Sequence, residues 1–164
     1  MWAVYRCTSC GGAVLAKGKD DEKAGNAEVV QLFPTSKQVA DELPSVARRF
    51  LEQAYQTLHA PDAAPVMAAS AVDAMLKDKG YTDGSLYERI DAAVRDHLLT
   101  EEMGRWAHHV RLESNRPRHA DSEDPHVTSE EAAQVVEFAD ALGQFLYVLS
   151  ARVKKGLKES AGKH

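Results

Sequence analysis

The sequence predicts a mainly α fold, an antiparallel bundle of about five helices preceded by a small N-terminal β-meander. Three observations predict it. From Leu43 onward, apolar residues recur at the three- and four-residue spacing of amphipathic helices. Those stretches open on proline, serine or threonine and close near glycine or proline, as helices do. The segment before Pro34 instead carries short apolar and aromatic runs separated by glycine and polar residues, the pattern of strands and turns. We therefore divide the chain into a small β segment, residues 1–36, and a helical bundle, residues 37–164.

In the β segment, Trp2–Tyr5 reads as a first strand and Ala13–Leu15 as a short second one. Between them lies a Cys-x-x-Cys-Gly-Gly turn, Cys7 to Gly12. Lys17 to Asn26 is polar and reads as a loop, and Ala27–Phe33 reads as a third strand. Two or three strands of this size bury little by themselves, so packing on the helices or on a partner is expected.

The helices follow in order. Pro44 suits a helix start, where its missing N–H would be unpaired anyway. From there to His59 the expected apolar stripe is Val46, Phe50, Leu51, Ala54, Tyr55 and Leu58. An alanine-rich helix from Asp62 to Lys79 stops at Gly80. Ser85 and Glu88 form a capping-box signature for the third helix, with Leu86, Ile90, Ala93, Val94 and Leu98 facing inward. Thr100 caps a fourth helix that ends near Asn115, because Pro117 disfavours helical geometry at Arg116. The last and longest helix is expected from Ser129 to Leu157, with Val135, Phe138, Leu142, Phe145, Leu146 and Leu149 inside.

Composition excludes several classes. The chain is 44% hydrophobic and 27% charged, a globular profile rather than a disordered one. No apolar run is long enough to span a bilayer, so no membrane partner is expected. The N-terminus has no basic stretch followed by an apolar one, and two cysteines are too few for a secreted disulfide scaffold. The expected location is the cytoplasm. A net charge of −5 argues against bulk, sequence-independent DNA coating, though not against a local cationic site.

Two features carry chemistry. Cys7 and Cys10 have the spacing of half a zinc ribbon, two thiolates on a tight turn. A closed structural zinc site needs further ligands, from His59, His126 or a second chain; otherwise two reduced thiols simply hold the turn. The second feature is the window Arg105 to Ala120, in which Arg105, Arg111, Arg116 and Arg118 are joined by His108, His109 and His119, with Glu113 as the one acid. On a helix, His108, Arg111 and Asn115 share one side. Arginine presents a forked donor suited to phosphate oxygens, and histidine exchanges protons near neutral pH. Such a cluster is what metal-independent RNA cleavage requires: a group to take the 2′-hydroxyl proton, a cation for the phosphorane, and a polar group to orient them. In the plainer alternative, Arg111 and His119 make structural hydrogen bonds that tie the loop to the helix.

The order of Cys7-Thr8-Ser9-Cys10-Gly11, Leu43-Pro44, the run Ala68–Gly80, Leu86-Tyr87-Glu88-Arg89-Ile90 and Trp106-Ala107 leading to Arg111, Asn115 and His119 resembles the domain-of-unknown-function family 4145. That family is similar to the HEPN superfamily of helical domains, many of them ribonucleases of defence or toxin–antitoxin systems. The resemblance implies a HEPN-like bundle and a homodimer facing two motifs across one site. Arg111 and His119 would be its active pair and Asn115 the polar helper, with no cofactor required for catalysis. Arg105, His108, Arg116 and Arg118 would attract the RNA. Non-catalytic domains of this fold also exist, so the alternative is a protein-interaction or dimerisation module. Solvent access separates the two: catalytic side chains must converge in an open cleft rather than bond fully within the chain.

Overall fold

The computed structural model describes residues 1–8, 11–20, 27–33, 38–118 and 123–161. It divides into two compact units, residues 1–38 and 39–164.

The first unit is a three-stranded antiparallel sheet in the order β1 (Trp2–Arg6), β2 (Ala13–Asp20), β3 (Ala27–Phe33). The β1–β2 turn closes through Cys7, whose N–H donates to the Gly12 carbonyl at 2.7 Å while its own carbonyl accepts from Gly11 at 2.9 Å. Gly11 sits at φ +73°, which only glycine adopts cheaply. The register sets Val4 opposite Leu15 and Leu15 opposite Phe33. Successive side chains alternate between faces, so these three share one face with Trp2, whose ring lies 6.0 Å from that of Phe33. The second strand runs further than the sequence suggests, through Lys17–Asp20, which reads as loop. Backbone pairing of that stretch with β3, across a register shift at Lys17/Gly18, overrides its polar composition.

The second unit is a helical bundle of α1 (Ser45–Gln56), α2 (Ala64–Asp78), α3 (Leu86–Arg95), α4 (Glu101–Asn115), α5 (Ser129–Gly143) and α6 (Ser150–Ala161). A π-helical segment, Gln144–Leu149, joins α5 to α6 in one continuous rod. No helix among the described residues is long and apolar enough to cross a membrane. α2 is the central element, packing against α1, α3, α4 and α5. Its alanines explain the position: Ala64, Ala68, Ala69 and Ala71 are buried beside Val72, Met75 and Leu76, and their small side chains let neighbouring backbones come close. The core is completed by Leu51, Ile90, Val110, Val135, Phe138 and Leu142.

Local chemistry sets the boundaries. The expected capping box of Ser85 with Glu88 forms, and a second one, Thr128 with Glu131, opens α5. α2 and α3 end in the same way, with a backbone N–H reaching back to an interior carbonyl: Tyr81 to Leu76 and Leu98 to Ala93. The left-handed residue of that motif is Gly80 in α2 but His97 in α3, at φ 58°. For a residue with a Cβ this conformation costs about 1–2 kcal/mol. At Pro117 the chain does not leave helical geometry at Arg116; it tightens into a 3-10 turn, Arg116–Arg118. A 3-10 turn is a common ending for an α-helix and accommodates the proline's missing N–H.

Three expected core positions are corrected. Phe145 and Leu149 are exposed at 39% and 53%, while Leu146 is buried as expected and Val148 is buried as well. The wider π turns rotate side chains relative to a regular helix, so a 3.6-residue extrapolation misplaces Phe145 and Leu149. Val46 is exposed as well, because only its first turn of α1 precedes the packed stretch Ala47–Ala54.

Candidate functional site

A cleft of about 810 Å³ lies within the helical unit. Four elements meet there. The segment from Pro44 to Phe50 forms one apolar wall, α2 contributes Asp73 and Lys77, α3 contributes Leu86, Tyr87 and Arg89, and α4 contributes Arg111, Ser114 and Asn115. α4 presents Arg111 and Asn115 together because they are four residues apart on one face.

The charges in this cleft are not equivalent. Arg89 is engaged within the fold: Nη1 donates to Asp73 Oδ1 at 2.6 Å, and Nη2 donates to the carbonyls of Thr82 and Gly84. Lys77 pairs with the other oxygen of Asp73 at 2.6 Å. Arg111 differs. Among the described residues it has no carboxylate partner, and its Nε, like that of Arg89, is buried without a hydrogen bond. Its guanidinium carbon lies 5.3 Å from the centroid of the Tyr87 ring, within cation–π range. Three cations, Lys77, Arg89 and Arg111, face two acids, Asp73 and Asp78, so the surplus positive charge belongs to Arg111.

A second layer supports it. The His108 ring stacks at 4.7 Å on Tyr87, and His108 Nε2 lies 2.9 Å from Asp91 Oδ1. An ionised carboxylate only accepts, so Nε2 carries the proton and Asp91 fixes the ring. Asp91, His108, Tyr87 and Arg111 thus form a chain of contacts leading to the cleft wall.

The remaining residues of the arginine–histidine window separate. Arg116 is anchored in the fold: it donates to Glu113 Oε2, Glu131 Oε1, Asp124 Oδ2 and the carbonyls of Asp124 and His126. The Glu113 hydrogen bond, outweighing desolvation, raises its pKa further above the usual arginine value. Arg105 is well exposed, pairs with Glu102 at 3.4 Å and lies outside the cleft lining. His109 approaches Glu113 at 3.8 Å. The backbone of Arg118 closes the 3-10 turn, whereas His119 lies outside the described residues. In the β unit, Cys7 is in the β1–β2 turn and Cys10 lies outside the described residues. Among the described residues no group of three or more histidine, cysteine or acidic side chains is placed to hold a metal ion. His126, one of the ligands considered for zinc, is instead set 2.8 Å from Asp62.

Sequence reasoning missed Tyr87, Asp73, Lys77 and Arg89. Tyr87 carried a usable signal, an aromatic beside a capping box and facing outward where Leu86 and Ile90 face in. The other three are ordinary helix-surface charges until the bundle brings them together.

The profile of the family described as Domain of unknown function (DUF4145) matches residues 47–160, most of the chain and nearly all of the helical unit. The chain belongs to that family. Among curated proteins and among solved structures, nothing matches it. The DUF4145 segment spans α1 to α6 and contains every cleft residue except Pro44 and Val46.

Proposed function

We propose that the helical unit binds RNA in the Arg111–Asn115 cleft, with Arg111 holding a backbone phosphate. One observation carries the reading: Arg111 stands on the wall of an open 810 Å³ cleft with no carboxylate partner among the described residues, while Arg89 is paired with Asp73 and Arg116 with Glu113. A guanidinium kept beside an aromatic ring rather than an acid retains its forked donors for an anion. Asn115, one turn further along α4, offers both a donor and an acceptor to the same ligand. The resemblance to HEPN domains favours RNA over other phosphate carriers, and with it a homodimer.

Cleavage is the stronger form of this proposal and enters through His119. The 2′-hydroxyl oxygen would bond to phosphorus as the bond to the 5′-oxygen breaks. His119 would take the hydroxyl proton while water protonates the leaving 5′-oxygen, or would protonate that oxygen while water takes the hydroxyl proton, and Arg111 would neutralise the phosphorane.

End-labelled RNA incubated in excess EDTA tests both forms with wild type, Arg111→Ala and His119→Ala. Loss of a charged hydrogen bond worth about 1.5–3 kcal/mol lowers the affinity of Arg111→Ala roughly tenfold to a hundredfold. It also makes the slope of log affinity against log salt shallower by about 0.7. Wild-type products ending in 2′,3′-cyclic phosphate, absent with His119→Ala, establish cleavage. Binding without cleavage leaves a non-catalytic RNA-binding domain, and unchanged affinity in Arg111→Ala removes the cleft from the account.

A further inference from the structure

A second concave surface lies where the π segment meets α6, a groove of about 440 Å³ that shares no residue with the Arg111 cleft. Leu98, Phe145, Leu149 and Val153 form its floor, and Lys79, His97 and Lys154 stand on its rim. No acid lines it among the described residues. His97 is the residue held at φ 58° where α2 uses glycine, so an imidazole is kept at this rim against backbone preference.

The apolar floor continues out of the groove along the rod. Phe145, Leu149, Val153 and Leu157 recur every four residues and are all exposed, Leu157 at 67%. Among the described helices and strands, α6 packs only on the π segment that precedes it. The stripe from Phe145 to Leu157 is about 18 Å long, more than three helical turns. Around it α6 carries Arg152, Lys154, Lys155 and Lys158 against Glu159 alone.

We propose that this groove and stripe are the docking site for an acidic amphipathic helix of a partner protein. The length of the stripe calls for an extended apolar ridge, which a helix with apolar residues every three or four positions supplies. The cationic rim selects acidic flanks on that ridge. α6 of a second copy is a poor occupant, because it would set four cations against four.

Fluorescence anisotropy on the full chain tests the proposal with a labelled synthetic helix of about 18 residues, leucine every three or four positions and glutamate elsewhere. Its twin carries lysine in place of glutamate. The glutamate peptide is expected to bind saturably, roughly tenfold or more tighter than the lysine peptide. Leu149→Asp with Val153→Asp, both at exposed positions, removes that binding with the circular dichroism spectrum unchanged. Lys154→Glu with Lys158→Glu reverses the preference between the peptides. Arg111→Ala leaves peptide binding intact, which separates this site from the RNA cleft. The proposal is overturned if the glutamate peptide does not bind or binds the Leu149→Asp, Val153→Asp protein equally well. It is equally overturned if those substitutions abolish self-association in sedimentation, or flotation with phosphatidylserine vesicles, since the stripe then belongs to a second copy or to a membrane.

Discussion

Arg111 and Arg116 lie five positions apart and carry the same charge, yet their surroundings give them opposite roles. Arg116 neutralises Glu113, a carboxylate only 8% exposed, and ties the start of α5 to the end of α4 through Glu131. Arg116→Ala is therefore expected to lower the urea midpoint clearly more than Arg105→Ala, whose single pair is fully solvated. Equal midpoints for the two variants would show that the Arg116 network contributes nothing to folding. Asp62 makes a comparable tie. Its carboxylate accepts the Val127 N–H at 2.8 Å and contacts His126, and the backbone hydrogen bond, then the His126 contact, lower its pKa. A depressed acid stabilises the fold above its unfolded pKa of about 3.9, and that contribution fades as pH falls toward the lowered folded value. Asp62→Asn should thus flatten stability against pH below about pH 4, measured by urea denaturation across that range. An acid limb as steep as wild type would place the responsible carboxylate elsewhere.

At the scale of elements, contact distance rather than propensity decides several positions. Gly104 on α4 faces Val94 on α3, and a Cβ there would come within 2.4 Å of Val94 Cγ2. Valine is stiff at χ1, so the helices must part or the side chain must leave its rotamer. Overpacking costs about 1–3 kcal/mol against a helix-propensity gain of about 1 kcal/mol for removing glycine. Gly104→Ala is expected to lose about 1 kcal/mol net in urea denaturation; a gain would mean that Val94 yields freely. The π segment acts on a larger scale, since by turning Phe145 and Leu149 outward it creates the exposed stripe that continues into α6. The same event made the sequence pattern misleading there. An apolar residue every four positions predicts burial when the turn is regular, and α-periodicity contains no signal for an inserted wide turn.

For the molecule as a whole, the division at Gln38 and Val39 has a direct consequence. The helical unit has its own continuous core, from Val39 through Val148. A fragment of residues 39–164 is expected to fold alone, with one cooperative thermal transition and a helical circular dichroism spectrum. A fragment that stays unfolded would make the β unit part of the folding nucleus. The sequence by itself determined the mainly helical class, the Ser85–Glu88 capping box, the helix stops at Gly80 and near Asn115, and the pairing of Arg111 with Asn115 on one face of α4. These depend on residues within a few positions of each other, and local sequence encodes local geometry. What only the tertiary structure decided is which cations are spent on the fold and which remain for a ligand. Arg116 meets Asp124 and Glu131 across a loop, and Arg89 meets Asp73 on another helix, whereas Arg111 meets Tyr87 and no acid among the described residues. Charge pairing is set by distance in space, and in a bundle partners that come within 3 Å lie as far as 64 positions apart in the chain, as His126 and Asp62 do.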